Sequence, residues 1–138
     1  MITREELRLI PKMHRDIQRD REQLLYLREK ATSIPSILPD PNKVQTSPTN
    51  NANKYSDAAV DLDREICVRE GELKALISKA AEFIEALPTT SRTEILAKKI
   101  MRYRYEDCLM WSEIADLMGY DIIYTQRLAK TAEILLPE

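Results

Sequence analysis

The stretch WSEIADLMGYDIIYTQRLAK, residues 111–130, decides how the chain is read. Ile114, Ala115 and Met118 fall at i, i+1 and i+4, on one face of a helix. Gly119 follows, one of two glycines in the chain. Asp121 then offers an N-cap for a second helix expected from Ile122 toward Leu136. Two helices around a Gly-containing turn of three or four residues form a helix-turn-helix, whose second helix can enter the DNA major groove.

The chemistry of the second helix is mixed. Asp121 suits the helix dipole but turns a negative charge toward phosphate. Ile122 and Ile123 cannot bond base edges; they can touch thymine methyls or pack on protein. Tyr124, Gln126, Arg127 and Lys130 remain as candidate base readers, because Arg matches guanine and Gln matches adenine. Thr125, Leu128, Ala129 and Ala132 read as core. Phosphate contacts are expected from Lys98, Lys99, Arg102 and Arg104, which crowd the helix containing KKIMRYR. Residues 88–138 nevertheless hold seven basic and eight acidic side chains, and the whole chain has a formal net charge of −2. This balance argues against strong non-specific DNA binding.

The 138 residues, 43% hydrophobic and 32% charged with two glycines, predict an all-α chain of one domain or two small ones. No apolar run approaches the length of a membrane span. The start, MITREELRLIPKMHRD, is charged from Arg4 onward and has no signal-peptide core, so a cytoplasmic location is expected. Cys67 and Cys108 lack zinc-site spacing, and His14 sits in a charged helix with no ligand or catalytic partners nearby. No Gly-rich phosphate loop or nucleophile–base constellation occurs, so neither cofactor, metal nor enzymatic activity is expected.

Seven prolines divide the chain: Pro11, the cluster Pro35, Pro39, Pro41 and Pro48, then Pro88 and Pro137. Residues 12–31 predict one helix with Ile10 just ahead of it. Its seam is Ile10, Met13, Ile17, Leu24 and Leu27, with Asp20 in the remaining slot. Residues 56–87 predict a longer one on Ala59, Leu62, Ile66, Leu73, Leu76, Ala80, Phe83 and Leu87, with Arg69 in the odd slot. Both are heptad seams. An antiparallel hairpin over 1–87, joined by a Pro/Asn-rich connector at 32–54, would bury one seam on the other. It could also place Asp20 near Arg69; the alternative sends both charges to solvent. The excess apolar length of the second helix calls for another partner, either the C-terminal unit 88–138 or a second copy. The connector carries Ile34, Ile37, Leu38 and Val44, which could dock on the hairpin. A connector this long is either flexible or functional.

KVQTSP (43–48), AVDLDREI (59–66), Arg104–Tyr105 and WSEIADLMGY (111–120) occur in this order. Together they resemble a family of small phage and prophage proteins of Gram-positive bacteria, related to the ArpU and RinA late transcription regulators. In that family the C-terminal unit is similar to region 4 of bacterial sigma factors. Arg104 and Tyr105 match the helix before the motif. Trp111, Glu113, Ile114, Ala115, Gly119 and Tyr120 match its first helix and turn, and Arg127 and Leu128 its second helix. Two features depart from the family pattern. Asp121-Ile122-Ile123 replaces a Ser followed by basic residues, and Met110 replaces the hydroxyl cap. The resemblance implies a DNA-binding transcription regulator in a bacterial host cell, with RNA polymerase as a further partner. Separately, the apolar seams of the N-terminal helices lead us to expect homo-oligomers formed through them. Two other classes stay open. In one, the helix-turn-helix is a protein-docking surface anchored by Ile122 and Ile123. In the other, the C-terminal unit only caps a coiled-coil dimer.

Overall fold

The computed structural model describes residues 1–32 and 49–136, the side chains of 49–53 excepted. Among these residues every regular element is helical: α1 Arg4–Thr32, α2 Thr49–Glu85, α3 Arg92–Met101, α4 Trp111–Met118 and α5 Ile122–Glu133. A single π-helical turn, Arg102–Glu106, continues α3. The chain is all-α. The connector side chains Ile34, Ile37, Leu38 and Val44, and the string KVQTSP, lie outside the described residues.

Both long helices begin earlier than their sequence pattern predicts. α1 starts at Arg4 and carries Pro11 in its interior. Proline there removes the hydrogen bond to the Leu7 carbonyl, at a cost of about 3 kcal/mol. The first turn offsets this locally. Thr3 Oγ1 accepts from the Glu6 N–H at 3.2 Å and donates to the Glu6 carboxylate at 3.3 Å. Ile2, Leu7 and Ile10 are buried beside it. The Thr-x-x-Glu spacing is a helix-start signal that the proline overshadows. α2 starts at Thr49, inside the stretch expected to be connector, because Pro48 obstructs only a helix that would run through it.

The chain forms two compact units. One comprises residues 16–70. Among its described residues the buried side chains are Ile17 and Leu24 from α1 and Ala59 and Ile66 from α2, all on the predicted seams. Asp20 pairs with Arg69, and Arg21 with Glu70. Arg28 lies 3.8 Å from Asp63. The partner's number falls from these pairs to the last as the first residue's number rises, which is the order of an antiparallel pair. The Asp20–Arg69 pair is partly exposed, so it holds the seam's register more than it adds to stability.

The other unit comprises residues 1–15 and 71–138. This division differs from the 1–87 and 88–138 domains expected from Pro88. Its interior combines Ile2, Leu7 and Ile10, then Leu73, Ala80, Phe83, Ile84 and Leu87, with Ala97, Ile100, Met101, Tyr105, Ile114, Ala115, Leu128, Ala129, Ala132 and Leu136. Polar bonds tie the same pieces together. Arg4 donates to the carbonyls of Ile134 and Leu136, both at 3.1 Å, placing a cation at the end of α5. Lys79 reaches Glu6 at 3.3 Å.

Candidate nucleic-acid interface

α4 begins without a side-chain cap at Met110, whose N–H donates to the Glu113 carboxylate at 3.4 Å. It ends at Gly119 with φ +75°, where the glycine N–H reaches the Ala115 carbonyl at 2.9 Å. Only glycine takes that conformation without strain. Asp121 then caps α5, accepting the Tyr124 N–H at 2.7 Å. A three-residue turn thus joins two packed helices.

The orientation of α5 follows from what it buries. Thr125, Leu128, Ala129 and Ala132 form its inner face. Thr125 is fully buried, and its hydroxyl donates to the Asp121 carbonyl at 2.8 Å, so no polar group is stranded. At 100° per residue the opposite stripe is Ile123, Arg127 and Lys130. All three are exposed. Gln126 is half-buried on one flank. Tyr124 lies on the other flank with its ring edge-on to Tyr120, centroids 5.0 Å apart. Ile122 sits nearer the inner face and is 43% exposed, against 66% for Ile123. The candidate base readers are therefore unequal: Arg127 and Lys130 point outward, while Tyr124 and Gln126 flank them.

The four candidate phosphate contacts do not form one free basic face. Lys98 donates to the Glu85 carbonyl, the last of α2, at 3.2 Å. Arg102 pairs with the Glu85 carboxylate at 2.7 Å and approaches Glu106 at 4.0 Å. Arg104 donates to the Leu109 carbonyl at 2.9 Å, and its guanidinium lies 4.7 Å from the centre of the Trp111 ring. Burial lowers its affinity for its proton, and its Nε is buried without a partner among the described residues. Lys99 alone of the four is exposed and unpaired among the described residues. The KKIMRYR run reads as a patch because spacing does not reveal that Glu85 and Trp111 lie within reach.

Arg104 therefore braces the start of α4. Arg104→Ala should lower stability by about 1–3 kcal/mol through the lost carbonyl bond and ring stacking. The salt dependence of any DNA binding should stay unchanged. Thermal melting and a salt titration of the variant check both outcomes.

Tyr105, singled out by the family string, has a structural role. Its hydroxyl donates to the Glu133 carboxylate at 2.6 Å, joining the π turn to the end of α5. Burial and the neighbouring carboxylate push its ionisation far above the ordinary tyrosine range. Cys67 is exposed and Cys108 half-buried, the latter at φ +56°. Among the described residues no group of three His, Cys, Asp or Glu side chains could hold a metal, and no helix is long and apolar enough to cross a membrane. Compared with protein-family models, curated proteins and solved structures, the chain gives no match.

Proposed function

We propose that the chain is a transcription regulator of phage type that binds DNA through α4, the Gly119–Asp121 turn and α5. The observation that carries this reading is the stripe on α5. Its core face is fully committed to the fold, and its outward face presents Arg127 and Lys130 unpaired among the described residues. Arg127 reads a base edge, with Gln126 and Tyr124 beside it, and Lys130 and Lys99 hold phosphates. Lys98 and Arg102 reach phosphate only by leaving Glu85. RNA polymerase is the further partner that the sigma-like resemblance brings. Assembly of copies is supported by Leu25, Tyr26, Val60 and Val68, all more than half exposed in the unit of residues 16–70.

A salt series on the full chain with a randomised DNA duplex pool tests the reading. Sequence-enriched binding is expected, with log affinity falling against log salt at a slope of about −2, as the two lysines that hold phosphates allow. A folded protein that binds no duplex at the lowest salt would overturn it. A second reading, docking of a protein on Ile122 and Ile123, is favoured by one observation: Leu117 and Ile123 are both more than 60% exposed.

A further inference from the structure

The outward stripe of α5 begins with an isoleucine that contributes little to the fold. Ile123 is 66% exposed. At 100° per residue it lies about 120–180° around the helix from each of the four buried residues Thr125, Leu128, Ala129 and Ala132. Arg127 follows one turn later and Lys130 two turns later on the same stripe, both exposed. An apolar group in line with an unpaired arginine fits one feature of the major groove, the 5-methyl group of thymine, which no polar side chain on the stripe can use.

We infer that Ile123 packs on a thymine 5-methyl group one or two base pairs from a guanine read by Arg127, so that the site is DNA carrying thymine and guanine at that spacing. The contact rests on the DNA-binding reading proposed above. Its spacing follows from geometry: side chains four residues apart on a helix stand about 5–6 Å apart, and successive base pairs are stacked about 3.4 Å apart. Ile122, turned toward the core face, does not share the contact. Ile134, one turn beyond Lys130 and also well exposed, is the matched control.

The test uses the full chain and a randomised duplex pool. The enriched duplex is then synthesised with thymidine or with deoxyuridine, which lacks only the methyl group. Affinity is expected to fall about 4-fold with deoxyuridine, the effect of losing one buried methyl-sized group. Ile123→Ala should remove that difference, and Ile134→Ala should keep it. Enrichment with equal affinity for both duplexes would overturn the thymine contact and leave DNA binding standing. A methyl effect that persists in Ile123→Ala, or that vanishes in Ile134→Ala, would overturn the assignment to Ile123. No enrichment from the pool would overturn the DNA-binding reading and the contact with it.

Discussion

The double variant Arg127→Ala, Lys130→Ala is expected to lose DNA binding by about 30- to 1,000-fold while folding as the parent does. An arginine bidentate to guanine contributes about 1–3 kcal/mol of discrimination. Adding one phosphate contact brings the loss to roughly 2–4 kcal/mol, at a factor of ten for each 1.4 kcal/mol. The salt slope should fall by about 1, because Lys130 no longer displaces a counterion. Stability should change little: both side chains are exposed and opposite the core face of α5, and alanine is the better helix former. Fluorescence anisotropy across a salt series and a thermal melt measure the two effects. Unchanged DNA affinity in a folded double variant would remove the base-reading role of α5. If a protein partner is bound through Ile122 and Ile123 instead, that binding should survive the double substitution.

The local features were legible in the sequence because they depend on periodicity and on turn chemistry. Ile17, Leu24, Ala59 and Ile66 are buried where the heptad seams put them. Asp20 and Arg69 meet because both occupy the one polar slot of their seams. Gly119 and Asp121 behave as residue type demands, one taking positive φ and the other capping α5. The phase of α5 was also in the sequence: Thr125, Leu128, Ala129 and Ala132 already define the face opposite Ile123 and Arg127. What spacing could not supply was the surroundings of the basic run. Lys98 and Arg102 are drawn to Glu85 from α2, and Arg104 to Trp111. These partners lie 13, 17 and 7 positions away, and the folded chain rather than a single helical repeat brings them together. Pro11 misleads for a different reason. Its cost is certain, but a capped first turn and three buried side chains offset it.

The fragment 88–138 is expected not to fold alone, although Pro88 makes it look like a domain. Within its unit, α3, α4 and α5 share an interior with Ile2, Leu7 and Ile10 from the start of the chain and with Leu73, Ala80, Phe83, Ile84 and Leu87 from α2. Removing those side chains exposes apolar surface that a segment of about 50 residues has little spare core to offset. The polar ties go with them. Arg4 no longer holds the carbonyls of Ile134 and Leu136, and Lys98 and Arg102 lose Glu85. Circular dichroism of the fragment should therefore show little helix and no cooperative melt. In the full chain, Ile10→Ala should cost about 2–5 kcal/mol, the range for truncating a fully buried isoleucine, although Ile10 is far from α5 in the sequence. A fragment that melts cooperatively would show that the first helix only decorates a self-sufficient unit. The consequence for function is direct: the helix proposed to read DNA is held by residues from the opposite end of the sequence, so substitutions at Arg4 or Ile10 should weaken DNA binding only as far as they lower the folded fraction, without changing which bases are preferred.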